Sequence, residues 1–252
     1  MKDLIPAIDI HTHYNHGSPY DTKEHAVYRC DIKSLKEEYD HISIVAGGYS
    51  SFASVISDLD IAAENDHLLG LARENPWIFQ WVVVDPRKKE TLLQAEKLLG
   101  LPKTLGIKIH PGYHGYRIDD YAHEIFSFAA EREATVLMHP DNIPAMPAYA
   151  DAYPKMRLII AHLGGVEHVD AVANARHQNI FVDTSGGAST NNYVIEYAVS
   201  RIGSEHILFG TDTYSTAFQR GRIEFARISD RDRENILYGN AKRLFADNFA
   251  DF

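Results

Sequence analysis

The chain has a single cysteine, Cys30, in 252 residues, so no disulfide can form within it. Its first residues, MKDLIPAIDI, have neither a long apolar segment nor a small-residue cleavage site. Together these predict a protein of the reducing cytoplasm. No run approaches the roughly 20 apolar residues that span a bilayer, which argues against a membrane helix. A basic excess is missing as well. The 25 Lys and Arg face 35 Asp and Glu, a net charge of −10, which argues against nucleic acid or an anionic membrane surface and leaves small molecules as the expected partners. Low-complexity tracts and long like-charge blocks are absent, so the whole chain, 1–252, is expected to fold as one domain.

What is abundant is histidine, 14 in all, and its placement matters more than its number. Short β-branched or apolar runs recur along the chain: LIPAIDIHTH (4–13), HISIVAGG (41–48), IFQWVVVDP (78–86), TLGIKIHP (104–111), ATVLMHP (134–140), RLIIAHLGG (157–165), NIFVDTSGG (179–187) and HILFGTDT (206–213). Between them lie amphipathic segments such as 89–100, 119–133 and 166–177. Eight strands alternating with helices predict an α/β fold, a (β/α)8 TIM barrel. A doubly wound open sheet would need a Gly-rich phosphate loop after the first strand, and HTHYNHGSPYD is not one. Residues 14–40 are read as a loop with a short helix over one mouth. The tail 232–249 is read as a helix pair in the outer ring, and the pairs Gly47–Gly48, Gly164–Gly165 and Gly186–Gly187 as sharp turns after strands.

Polar residues end these strands: His11 and His13 the first, Lys108 and His110 the fourth, His139 the fifth, His162 the sixth and Asp212 the eighth. Barrel enzymes build their sites at the carboxyl ends of the strands. Residues two apart on a strand share a face, so His11 and His13 project together, and Asp9 is placed on their face one layer deeper. One histidine at a strand end is usually a hydrogen-bonded boundary residue. Two on one face, with more at three other strand ends, predict a divalent metal on His11, His13, His139 and Asp212. His16, His25, His41, His67, His114, His123, His168, His177 and His206 are read as surface residues. Tyr113, His114 and Arg117 lie in the loop after the fourth strand, and an Arg fork there suits an anionic substrate. The expected substrate contacts are Lys108, His110, Tyr113 and Arg117.

The ordered set DIHTH, GIKIHP, LMHP, IIAHLGG, ILFGTDT and NILYGNAKRLF resembles the amidohydrolase superfamily. Specifically, it resembles the amidohydrolase-related branch of metal-dependent barrel hydrolases that includes aminocarboxymuconate semialdehyde decarboxylase. The resemblance implies one metal, usually zinc, on His11, His13, His139 and Asp212, with manganese, iron or cobalt as alternatives, and His162 beside the substrate. Binuclear members of the superfamily carry a carbamylated strand-four lysine that bridges two metals. For Lys108 the single-metal reading is preferred. Hydrolysis follows as the expected reaction: metal-activated water attacks an amide, ester or lactone, Asp212 takes the water's proton, and His162 polarises the carbonyl. The alternative is a non-oxidative decarboxylase of a small unsaturated or aromatic acid, and a third reading is an inactive scaffold. The family's decarboxylases tend to carry added elements over the mouth, which tips the expectation toward a hydrolase. Aromatics in the loops suggest a homodimer.

Overall fold

The computed structural model describes residues 4–15, 31–56, 60–214 and 216–252. All eight expected strands form: β1 (Ala7–Tyr14), β2 (Ile44–Ser51), β3 (Ile78–Val83), β4 (Thr104–Ile109), β5 (Thr135–Met138), β6 (Arg157–Ile160), β7 (Ile180–Asp183) and β8 (Ile207–Leu208). Each pairs in parallel with the next, in the order β1 to β8. The residues after β8 return to β1. Ile10 N–H donates to the Phe209 carbonyl (2.9 Å), and the N–H groups of Thr211 and Asp212 donate to the His11 carbonyl (3.1 and 2.7 Å), bridging the last gap in the ring.

The helices are α1 (Ile32–His41), α2 (Phe52–Ile56), α3 (Ile61–Glu74), α4 (Lys89–Leu98), α5 (Pro111–His114) and α6 (Ile118–Glu131) in the first half. They continue with α7 (Met146–Ala152), α8 (Val166–Asn174), α9 (Val194–Ile202), α10 (Thr216–Glu224), α11 (Asp230–Glu234) and α12 (Asn240–Leu244). No described helix is long and apolar enough to cross a membrane. Of the expected loop and helix over 14–40, α1 is present, and 16–30 lies outside the described residues, as do His16, His25 and Cys30.

Strand alternation sorts the core into two shells. Val136, Met138, Leu158, Ile160, Ile180 and Val182 pack outward among the helices, while Ile8, Ile10, Phe79, Trp81, Leu137, Ile159 and Leu208 fill the barrel. The tail departs from its expected role. It runs through α11, a π-helical turn at Asn235–Gly239 and α12 without a break, so it is not a pair of helices in the outer ring. Its aromatic end then packs on the barrel interior: Phe249 lies 4.5 Å from Phe79 and Phe245 5.8 Å from Trp81 between ring centroids. Burying these rings closes the barrel at the end where β3 begins. Gly47 and Gly48 also differ from expectation, since they lie inside β2 and not in a turn after it. A Cβ on Gly48 would come within 2.6 Å of Leu105 and 2.8 Å of the Trp81 indole nitrogen.

The pairing of β1 with β2 shifts between Asp9 and Thr12, where three steps on β1 meet two on β2 (Asp9 with Gly47, Thr12 with Tyr49). This bulge rephases the strand. Ile8 and Ile10 sit in the barrel, and past the bulge His11 joins them. Asp9 is therefore not on the face of His11 as period-two alternation suggested. It is fully buried against α1, accepting hydrogen bonds from Tyr39 Oη (2.7 Å), Thr211 Oγ1 (2.6 Å) and the N–H groups of Thr211 (3.1 Å) and His11 (3.2 Å). Burial outweighs these four donors and lifts its pKa to about 7.

Candidate active site

At the carboxyl ends of the strands lies a cavity of about 120 Å³ lined by His11, His13, Lys108, His110, His139, His162 and Asp212, with Phe52, Val55, Ile56, Tyr113 and Tyr214. Alternation explains most of the set. Ile107 and Ile109 pack outward, so Lys108 and His110 face in, and Leu137 with His139, like Leu208 with Asp212, continue inward-facing series. His162 and Asp212 carry left-handed backbone, φ 66° and 58°, and Thr213 follows at 64°. Such conformations cost about 1–3 kcal/mol each and cluster where a site demands them.

His11 is at the centre of the hydrogen-bond network. Its Nδ1 lies 2.8 Å from Asp183 Oδ2 and its Nε2 2.8 Å from Lys108 Nζ and 3.6 Å from Asp212 Oδ1. A carboxylate only accepts, so the network assigns the hydrogen to Nδ1 and leaves the Nε2 lone pair toward the cavity. His13 Nε2 lies 3.0 Å from Asp212 Oδ1, and its Nδ1 2.9 Å from Ser50 Oγ. Burial first, then the Lys108 charge, lowers the His11 pKa to about 3 against the pull of Asp183 and Asp212. Burial likewise lowers that of His13, and burial together with His162 and Lys108 takes His139 to about 4. The imidazoles are neutral, as metal ligands must be. Burial alone would raise Asp212, but the hydrogen bond from His13 and the nearby imidazoles of His11, His13 and His162 hold it well below the usual carboxylate range. Burial brings Lys108 down to about 8 although Asp212 and Asp183 oppose it.

Two groups of donors converge within 4.8 Å of one another: His11, His13 and Asp212, and His11, His162 and Asp183. The first is a set of neutral, buried imidazoles with an ionised carboxylate, the chemistry that suits a divalent transition metal. His139 belongs to neither group. It lines the same cavity, with its ring centroid 5.0 Å from His162 and 3.9 Å from His110. The family model for amidohydrolase matches residues 8–246, a span that takes in every one of these groups. The chain belongs to the amidohydrolase family.

Among curated proteins, this amidohydrolase is 27% identical over 118 residues to gamma-resorcylate decarboxylase of Polaromonas sp. strain JS666. That match takes in 38% of the chain and spans 36% of the relative's length. Among solved structures, 5-carboxyvanillate decarboxylase from Sphingomonas paucimobilis superposes with a TM-score of 0.77 at 14% identity, covering 96% of this chain and 99% of that one. Dihydroxybenzoic acid decarboxylase from Polaromonas sp. JS666, with bound manganese and the inhibitor 2-nitroresorcinol, gives a TM-score of 0.74 at 17% identity, covering 96% and 97%. At those identities the structural likeness speaks for the fold. The relatives are decarboxylases, and they overturn hydrolysis of an amide, ester or lactone as the expected reaction.

The expected substrate contacts separate. Lys108, His110 and Tyr113 line the cavity of the amidohydrolase, whereas Arg117 does not. Arg117 precedes α6, is 74% exposed, and pairs with Asp119 two residues on (3.1 Å), so its charge is satisfied on the surface. His114 is no surface residue either: it is buried in α5 and its Nε2 donates to the Ser54 carbonyl of α2 (2.9 Å), tying together two elements that wall the cavity. His168 is also buried, in α8.

Two residues escaped the sequence reading, Asp183 and Ser185. Asp183 is fully buried; besides His11 Nδ1 it accepts the N–H groups of Ser185 (2.8 Å) and His162 (3.2 Å), and the Ser185 hydroxyl donates to it. Burial would raise its pKa, yet the adjoining His11 with its Nδ1–H hydrogen bond holds it well below the usual carboxylate range. Ser185 Oγ in turn lies 2.9 Å from His162 Nδ1. Both residues are in phase with inward-facing Phe181 on the β7 run, and that parity was the available signal. Gly186, at φ 70°, leaves space for His162, since a Cβ there would lie 2.6 Å from Nδ1. Gly186→Ala is expected to displace the His162 ring and depress turnover, with a stability loss of about 1 kcal/mol from the left-handed backbone. Steady-state kinetics beside a thermal melt check this, and unchanged turnover would remove the packing argument.

Proposed function

We propose that this amidohydrolase is a metal-dependent, non-oxidative decarboxylase, a carboxy-lyase acting on a small aromatic or unsaturated carboxylic acid. The observation that carries the reading is the convergence of His11, His13 and Asp212 beside the Lys108 amine under the apolar walls of Phe52, Val55 and Ile56. The decarboxylase relatives support it, and the manganese in one of them supports manganese as the test metal beside zinc, iron or cobalt. His11, His13 and Asp212, with His139 from the same cavity lining, would hold one divalent ion. When bound, it supplies a Lewis acid that neutralises anionic substrate oxygens. Asp183 is engaged with His11 Nδ1, which favours one metal over a pair bridged by a carbamylated Lys108.

The residues divide the remaining work. Lys108 draws the carboxylate in, and the apolar walls penalise its charge relative to the neutral CO2 that leaves. The reaction is R–CO2⁻ plus H⁺ giving R–H and CO2, so the carbon must receive a proton. Asp212, ionised at rest, takes the proton of the incoming acid and returns it to that carbon, so that R–CO2H gives R–H and CO2 with nothing left over. His162, with Nδ1 turned to Ser185, presents Nε2 to the substrate. Protein loaded with manganese or zinc is expected to release CO2 from a panel of hydroxybenzoates and unsaturated acids; no CO2 from any member, with metal content confirmed at one ion per chain, would overturn the reading. Tyr113, Tyr193, Phe218 and Phe225 are exposed and support a homodimer. Sedimentation velocity at micromolar concentration tests that, and a monomer would refute it.

A further inference from the structure

His110 performs two tasks with one ring. It is the residue before α5, and its Nδ1 accepts the Tyr113 N–H at 3.1 Å, the part an Asn or Asp side chain usually plays at a helix start. A backbone N–H only donates, so Nδ1 bears no hydrogen and the neutral ring carries it on Nε2. Nε2 has no hydrogen-bond partner among the described residues, and the ring lines the cavity.

His162 is held the opposite way. Its Nδ1 lies 3.3 Å from the Ser185 carbonyl, which only accepts, and 2.9 Å from Ser185 Oγ, whose own hydrogen goes to Asp183. Its hydrogen is therefore on Nδ1 and its lone pair on Nε2. The rings of both histidines neighbour His139, at 3.9 and 5.0 Å between centroids. One presents a donor to the cavity and the other an acceptor.

We propose that His110 is the hydrogen-bond donor that selects an anionic oxygen on the substrate, with its tautomer imposed by the first turn of α5. The inference rests on the carboxylic-acid reading above. A fixed N–H donor can meet the carbonyl of a carboxamide but binds the charged oxygen of a carboxylate more strongly, so the carboxylate is preferred over the corresponding carboxamide. A charge-assisted bond from a fixed donor is also roughly twice as strong as a neutral one.

The test titrates the full manganese-loaded chain with 2-hydroxybenzoate and 2-hydroxybenzamide by calorimetry. The native protein is expected to prefer the carboxylate by at least about tenfold, the usual scale of one hydrogen bond to a charged group. His110→Asn keeps the acceptor that caps α5 but loses the reach into the cavity, and its preference is expected to fall at least about threefold from the native value, the remainder resting on Lys108 and the metal. His110→Gln restores a donor at that reach and is expected to recover part of it. Histidine 15N spectra should place the His110 hydrogen on Nε2 and the His162 hydrogen on Nδ1. An undiminished preference in His110→Asn, no preference in the native chain, or a His110 hydrogen on Nδ1 would each overturn the proposal. Absence of CO2 release with the preference and tautomers intact would instead refute the decarboxylase reading and leave His110 as a carboxylate reader.

Discussion

Asp212→Asn is expected to lower CO2 release at least about 10³-fold while the barrel stays folded. General acid–base groups contribute about 10²–10⁴-fold, and this carboxylate also belongs to the proposed donor set, so both losses fall on one residue. Asparagine is the informative replacement. Position 212 has φ 58°, a left-handed conformation that Asn tolerates almost as well as Asp, and its N–H bond to the His11 carbonyl (2.7 Å) involves only backbone. Circular dichroism and the melting curve should therefore change little. Retention of more than about a tenth of native turnover would show that Asp212 neither handles the proton nor helps to hold the ion.

Asp183→Asn is expected to weaken metal binding about 10- to 100-fold, the usual cost of removing a carboxylate that orients a ligating histidine. Asp183 Oδ2 accepts from His11 Nδ1, which leaves the Nε2 lone pair directed at the cavity. An amide NH2 at that position would present hydrogens to Nδ1. The ring would respond by shifting its own hydrogen to Nε2, blocking that nitrogen as a ligand. The same change disturbs the N–H groups of Ser185 and His162 and the Ser185 hydroxyl, so some loss of stability accompanies it. Competition against a chelating dye measures the affinity. A value within twofold of native would mean that His11 is not oriented through Asp183.

The strands and the histidines at their ends were legible because both signals are local. A β-branched run announces a strand, and period two within it tells which residues share a face, as with Lys108 and His110 against Ile107 and Ile109. The same reasoning failed where the phase changed. At Asp9 the bulge against β2 turned the carboxylate outward to Tyr39, although its spacing from His11 is the spacing of His11 from His13. It failed again at Arg117, whose charge found Asp119 before it could reach a ligand.

From the order of residues alone came the eight parallel units and the list of groups able to bind a cation, because hydrophobic periodicity and side-chain chemistry are properties of short stretches. Tertiary structure decided which groups meet. Asp183 reaches His11 across 172 positions, Thr211 and Asp212 close the ring on β1, and the tail aromatics seal the barrel's far end. Those contacts depend on the stagger and closure of the whole barrel, a global geometry that no window of a dozen residues encodes.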